Sequence, residues 1–271
     1  MTEMGTKVGI AGFGTIGRVV ARHIEDSELP LTLAAVSAGN RARAEAAMAR
    51  LKSPVPIVDT AELAALSDVV VDCAPTAAFR DIAETVLHAG KTLVTVSGAA
   101  LMQWPEAVEI ARAHGGRIIL ATGALLGLDA VRAAAVGTIH SVTMVTRKPV
   151  KSLVKAEHVV RNGIELRSIT EPLKIFAGSA QEGAIAFPAN VNVAAALGMA
   201  GVGPERTRLE IWADPALERN THRITVDSDS ARFELSIENI PTDENPGTGR
   251  ITALSIVAAL NDLVSPIRIG T

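Results

Sequence analysis

The feature that most limits what this chain can fold into is the run Gly12-Phe13-Gly14-Thr15-Ile16-Gly17, set directly behind an apolar stretch, Lys7–Ala11, and directly ahead of a helical one, Gly17–Glu25. Three glycines at that spacing, between a strand and a helix, meet one geometric demand. Gly12 permits a tight turn, Gly14 removes a side chain where a pyrophosphate must approach the backbone, and Gly17 lets the helix pack closely on the strand. The helix amino terminus then offers N–H groups to the phosphates. Gly12, Gly14 and Gly17, with Thr15 and Ile16 among them, are the expected dinucleotide-binding residues. A glycine-rich turn that holds no ligand is the competing reading.

The rest of the first half fits that beginning. Val- and Ile-rich runs at Leu31–Ser37, Asp68–Cys73, Thr92–Val96 and Arg117–Ala121 alternate with Ala-rich helical stretches at Arg41–Leu51, Ala77–His88 and Pro105–His114. This is the pattern of parallel strands joined by crossover helices, and it predicts an α/β, Rossmann-type doubly wound sheet over residues 1–123. Beyond Gly123 the period changes to two, at Ser141–Thr146, Arg208–Ala213, His222–Asp227 and Arg232–Ile237. Residues 124–249 are therefore expected to form an α+β substrate domain with a mainly antiparallel sheet. Two helices are expected within it, over Leu128–Val136 and over Ala189–Met199, the second with Pro188 in its first turn. A last helix within 250–271, about Ile251–Leu263, is expected to return to the first domain.

Composition narrows the function. Aromatic residues make up only 3% of the 271 and Tyr is absent, so the core must be aliphatic. A net charge of −3 gives no field that would gather nucleic acid. Cys73 is the single cysteine, which excludes an intrachain disulfide and any thiolate-built zinc site. His23, His88, His114, His140 and His158 are scattered without metal-ligand spacing, so no metal is expected. With no secretion-signal layout and no apolar run long enough to span a bilayer, a soluble cytoplasmic protein is expected, without a membrane partner. An open sheet edge and the aliphatic composition point to a homodimer.

The second strand ends in Ser37-Ala38-Gly39-Asn40-Arg41, where an NAD-preferring site would carry Asp or Glu for the adenine ribose. Ser37, Asn40 and Arg41 are the expected ribose-side residues. A 2′-phosphate would meet Arg41, and Arg43 beyond it, rather than an anion, so NADP is expected at least as readily as NAD. The alternative for Arg43 is a solvated residue in a first helical turn.

Three later segments carry a more specific signal. Gly123-Ala124-Leu125-Leu126-Gly127-Leu128-Asp129-Ala130, Ala186-Phe187-Pro188-Ala189-Asn190-Val191-Asn192-Val193-Ala194, and Ala213-Asp214-Pro215 followed by Asn220-Thr221-His222 closely resemble the L-aspartate dehydrogenases, and the similarity continues to the closing Ile267-Arg268-Ile269-Gly270-Thr271. The resemblance implies oxidation of L-aspartate by NAD or NADP to iminosuccinate, which hydrolyses to oxaloacetate and ammonia, or the reverse amination. It also implies a product that can enter pyridine nucleotide biosynthesis. By the same resemblance Ala124 and Asn190 match cofactor-contacting positions and His222 the catalytic histidine.

The residues support these roles unequally. His222 is in phase with Ile224 and Val226, so its imidazole should face the covered side of its strand, where it could take the proton of an ammonium. Asn190 could meet the nicotinamide amide or its ribose, and Asn192 the substrate; for each, hydrogen bonding at a helix start is the alternative. Two substrate carboxylates need cations. Lys148, in Arg147-Lys148-Pro149 at the end of a predicted strand, is the first candidate, against a solvated charge pair in a loop. Arg219 and Arg223 rank lower because neighbours of an inward residue point outward. Two readings compete: a reductase or dehydrogenase of another small acid, like the dihydrodipicolinate reductases or homoserine dehydrogenases, and a nicotinamide-binding sensor without catalysis.

Overall fold

The computed structural model describes residues 5–188, 191–245 and 247–270. The chain divides into two compact units, one built from residues 5–123 with 252–269, the other from Ala124–Ile251 with Gly270.

The first unit runs β1 (Thr6–Ala11), α1 (Thr15–Asp26), β2 (Leu31–Ser37), α2 (Arg41–Met48), α3 (Thr60–Leu66), β3 (Val69–Asp72), α4 (Phe79–His88), β4 (Thr92–Thr95), α5 (Gly98–Met102), α6 (Glu106–His114) and β5 (Arg117–Leu120). All five strands are parallel, in the order β2-β1-β3-β4-β5. Parallel strands must be covered on both faces, and consecutive residues here feed opposite cores. Val8, Ile10, Val69, Val71 and Val94 pack with Val20 and Ile24 of α1 and with Ile256, Val257 and Leu260 of the last helix, Arg250–Val264. Ala11, Val70 and Leu93 pack the other way, with Leu63 of α3, Ile82 and Val86 of α4 and Ala107 of α6. The sheet is thus doubly wound, and the strand order reverses between β1 and β3.

Gly12 lies at that reversal. Its φ of +94° is a conformation that an L side chain resists, and a Cβ there would stand 2.6 Å from the backbone of Cys73 and Ala74. Gly17 is tied to the same turn, because its Cβ would run into the carbonyl oxygen of Gly12.

The second unit runs α7 (Leu128–Ala134), β6 (Ile139–Pro149), α8 (Glu157–Arg161), β7 (Leu173–Ser179), α9 (Ala180–Ala186), α10 (Asn192–Ala200), β8 (Thr207–Asp214), β9 (Thr221–Ser228) and β10 (Arg232–Glu238). Its sheet has the order β10-β9-β6-β8-β7; β6 pairs antiparallel with β9 and parallel with β8, and the two outer pairings are antiparallel. One face is buried, through Val142 and Met144, Leu209 and Ile211, and Ile224 and Val226, with α9 and α10 packed on β8. The opposite face carries Arg147 and Lys174 at 5.3 and 5.4 Å from the Trp212 ring, and the ion pair of Arg223 with Glu234.

The last helix runs Arg250–Val264, within a residue of expectation at each end, and stops because Pro266 bars its predecessor Ser265 from helical geometry. Other elements differ from expectation. Helix α10 begins at Asn192 behind Val191, so Pro188 is not in its first turn; Ala189 and Asn190 lie outside the described residues. Strand β7 and helices α3, α5, α8 and α9 were not expected. Among the described residues no helix is long and apolar enough to cross a membrane.

A Gly12→Ala substitution forces both the positive φ and the clash, and is expected to lower the stability of the first unit by about 2–4 kcal/mol, measured by urea denaturation.

Candidate active site

In the first unit the glycine loop follows β1. The Gly12 N–H bonds to the Ser37 carbonyl at 2.8 Å, joining the ends of β1 and β2, and the space that a Gly14 Cβ would occupy is open to beyond 4 Å. Helix α1 starts behind Gly14 with no side-chain cap and no acidic residue in its first turn. An open backbone surface beside an uncapped, unopposed helix start fits a dinucleotide pyrophosphate. Thr15 and Ile16 form the first turn, half-buried.

Ser37 is buried at the end of β2. Asn40 caps α2 by accepting the Arg43 N–H at 2.9 Å, and Arg41 is held by Glu45 at 3.0 Å and by the Ile57 carbonyl at 3.2 Å. The Arg41–Glu45 pair is exposed and therefore weak, which leaves the guanidinium able to turn toward another anion. Arg43 is exposed on α2.

A buried carboxylate that sequence reasoning missed organises the neighbouring strand ends. Asp72, 1% exposed, accepts the Thr95 and Ser97 hydroxyls at 2.8 Å each and the Ala74 N–H at 3.1 Å. It thereby ties the ends of β3 and β4 together. Burial raises its carboxyl above the ordinary value against the opposite pull of those three donors. Burial, and next the Asp72 carboxylate, push the Cys73 thiol well up, so it stays protonated and unreactive.

In the second unit the phase of β9 turns His222 inward, where it is 5% exposed. Strand β6 continues to Pro149 and so carries Lys148 on the same inward face as Met144 and Thr146. Lys148 is 4% exposed, and the reading of it as a solvated loop charge is corrected: a strand that alternates to its end buries every second residue. Arg147, by contrast, is half-exposed on the other face, 3.5 Å from Asp214. Thr146 is the register partner of His222, and its Oγ1 stands 3.1 Å from the ring's Nδ1. Burial lowers the Lys148 pKa to about 8. Burial, and next the charge of Lys148, lower that of His222 to about 3, which leaves a neutral imidazole beside a buried ammonium.

Two further residues complete the neighbourhood. Asn239, buried just past β10, donates from Nδ2 to the Ala124 carbonyl at 3.1 Å, and its own N–H bonds to the Asn220 carbonyl at 2.8 Å. Within the second unit it links Ala124 to the residue that precedes the strand of His222, and it was not foreseen, because the three stretches are far apart in sequence. Asn192 opens α10, half-buried. Asn190 lies outside the described residues. Arg219 and Arg223 are exposed. Among the described residues there is no cluster of three His, Cys, Asp or Glu side chains placed to hold a metal.

A doubly wound sheet with a glycine loop at its reversal has the form of a dinucleotide-binding domain, and a mixed-sheet unit that buries an imidazole and an ammonium follows it. Comparison with known proteins narrows the class. The family described as the NAD-binding domain of homoserine dehydrogenase matches residues 12–121, and that described as the C-terminal domain of aspartate dehydrogenase matches residues 129–263. The L-aspartate dehydrogenase of Bradyrhizobium diazoefficiens is 50% identical, covering 98% of this chain and 94% of that protein. L-aspartate dehydrogenase 3 of Bordetella bronchiseptica is 47% identical, covering 97% of each. Aspartate dehydrogenase from Thermotoga maritima, at 24% identity, shares the fold with a TM-score of 0.74 over 98% of this chain and 99% of that one. The chain belongs to the L-aspartate dehydrogenase family.

The depressed His222 pKa sets a sign for pH and stability. In the unfolded chain the ring takes its proton near pH 6.5 and in the folded chain near 3, so stability is lost as pH falls across that window. His222→Gln is expected to remove this loss. Urea unfolding of the two proteins, matched at neutral pH, should separate in the variant's favour by up to about 1.4 kcal/mol per pH unit below pH ~6.5.

Proposed function

We propose that this protein oxidises L-aspartate to iminosuccinate with NAD or NADP, and runs the reductive amination in reverse, with His222 moving the proton. The observation that carries the reading is the burial of His222 beside Lys148 on one face of the second sheet, in a chain 50% identical to an L-aspartate dehydrogenase. When bound, the nicotinamide cofactor accepts the hydride from the substrate Cα. Gly12, Gly14, Thr15, Ile16 and Gly17 bind its pyrophosphate through backbone N–H groups, Ser37, Asn40 and Arg41 meet the adenine ribose, and Ala124 and Asn190 meet the nicotinamide end. Nothing in the Ser37–Arg41 stretch repels a 2′-phosphate, so both cofactors are accepted.

The chain's own residues divide the remaining work. Lys148 pairs with a substrate carboxylate, since a buried ammonium gains most from an anion brought to it, and Asn192 offers its amide to the same substrate. His222, neutral in the free protein, removes a proton from the substrate ammonium so that the nitrogen lone pair can drive hydride loss. A carboxylate on Lys148 also cancels the charge that holds the imidazole's proton affinity down, so His222 becomes a stronger base once substrate is seated. The imine is then hydrolysed to oxaloacetate and ammonia. Among other small-acid readings, the homoserine dehydrogenase likeness stops with the first unit, whereas the second matches aspartate dehydrogenase.

We also propose a homodimer, with the half-exposed face of the second sheet around Trp212 as a surface suited to symmetric closure. Sedimentation is expected to give twice the mass of the 28.2 kDa chain; a monomer at micromolar concentration sinks this part alone.

Reduced-cofactor absorbance decides the main reading. Wild type is expected to turn over L-aspartate with NAD and with NADP, and oxaloacetate plus ammonium with the reduced forms. His222→Ala should lower kcat by ~100-fold or more while leaving cofactor affinity unchanged. Lys148→Met should raise the KM for aspartate about 10-fold or more. Cofactor binding without turnover of any of these substrates would refute the assignment.

A further inference from the structure

Thr146 has no role in the reaction as proposed so far, yet it is 3% exposed on a strand face whose other inward positions include Val142 and Met144. Valine has nearly the same shape and carries no hydroxyl to desolvate, so packing alone gives no reason for threonine here. The polar partner of the hydroxyl is His222: the two residues are opposed in register across β6 and β9, with Oγ1 and Nδ1 at 3.1 Å. We propose that Thr146 is the positioning residue of His222, accepting a hydrogen bond from Nδ1–H and so fixing the tautomer in which Nε2 faces the substrate as the proton-transferring atom. This inference rests on the acid/base reading of His222.

A neutral imidazole has one N–H and one lone pair, and only the nitrogen without the proton can act as a base. With Nδ1–H bonded to Oγ1, the lone pair is on Nε2. When Nε2 takes the ammonium proton, Nδ1–H and its bond to Oγ1 are unchanged, so the ring need not turn over between the oxidation and the reverse amination. The proton leaves the substrate nitrogen for Nε2 in one direction and returns by the same path in the other. Threonine suits the task sterically, because its branched Cβ holds χ1 to few positions in a strand.

The uncharged nature of the hydroxyl matters as much as its position. A carboxylate behind the ring would favour the imidazolium and hold the resting base protonated. The groups that bear on His222 instead leave it neutral. From β6 it faces Thr146 and the Lys148 ammonium; on β10 its register partner is Ile237, and on β8 the inward residues Ile211 and Ala213 carry no charge. Orientation by a neutral acceptor gives a ring that is fixed in direction and still free to accept a proton.

The test compares Thr146→Val, Thr146→Ser and His222→Ala with wild type, using steady-state kinetics, melting temperature and the 15N shifts of labelled histidine. In wild type the His222 ring is expected as the Nδ1–H tautomer. Thr146→Val is expected to melt at or above the wild-type temperature, to lose the Nδ1–H tautomer, and to lose about 10-fold or more in kcat with the KM values for aspartate and cofactor little changed. Thr146→Ser should restore both the tautomer and kcat. Should the valine variant fail to fold, Thr146→Ala must show the same change of tautomer and kcat. Wild-type kcat in folded Thr146→Val or Thr146→Ala, an Nε2–H tautomer in the wild type, or serine behaving as valine does would each overturn the proposal. Its failure is separable from that of the acid/base reading: a His222→Ala enzyme that keeps wild-type kcat removes the reading itself, whereas an inactive His222→Ala beside a fully active Thr146→Val removes only the role of Thr146.

Discussion

The Lys148 ammonium, buried on the same face of the second sheet as the His222 imidazole, opposes any second positive charge there, and burial opposes it further. His222 of β9 is the register partner of Thr146 on β6, and Lys148 lies two residues further along β6 on the same face, paired to β8 through Ala213, so the sheet sets where the two lie. Burial, and next the Lys148 charge, keep the ring neutral, and the ring's neutrality keeps the ammonium from facing another cation. The helices packed on β8 and the aliphatic residues around the pair serve this purpose by excluding water, which would otherwise screen the interaction.

The first unit depends on a different kind of constraint. Its candidate site is made of backbone: the positive φ of Gly12, the open side of Gly14, and the close approach of α1 at Gly17. Backbone requirements of this sort select glycine and nothing else, and for that reason they were readable in the sequence with their spacing intact. The parallel strands were equally plain, because burial on both faces leaves unbroken Val and Ile runs: Leu31–Ser37 was placed to the residue and the others to within a residue or two.

What sequence reasoning missed has physical causes too. Strand β7 lies at an edge, with Ile175 its one fully buried position, so it carries no alternation to detect. Helices α3 and α9 are only seven residues long, too short for an apolar period, although each announces its start: Asp59 accepts the Glu62 N–H, and Ser179 with Glu182 forms a complete capping box. Lys148 was legible in principle. Val142, Met144, Thr146 and Lys148 recur at every second position, and the rule that turned His222 inward turns Lys148 inward as soon as β6 is allowed to run past Thr146. Asp72 and Asn239 gave no such signal, since the side-chain partners of Asp72, Thr95 and Ser97, lie 23 and 25 residues away and the Ala124 partner of Asn239 lies 115 away, and only the folded sheets bring them together.

Three of the inward polar residues of the second sheet, Thr146, Lys148 and His222, also show where stability has been given up. Around them the same face is Val142, Met144, Leu209, Ile211, Ile224 and Val226, and apolar residues in place of Thr146, Lys148 and His222 would continue that core without desolvating a hydroxyl, an ammonium or an imidazole. A fold under no other demand would drift toward that replacement. The three are clustered rather than dispersed: Thr146 and His222 are hydrogen-bonded in register, and the Lys148 charge adds to burial in lowering the His222 pKa. The desolvation that weakens the fold at these positions is the same desolvation that holds His222 neutral and lowers the Lys148 pKa, and strongly perturbed groups of this kind are concentrated at functional sites.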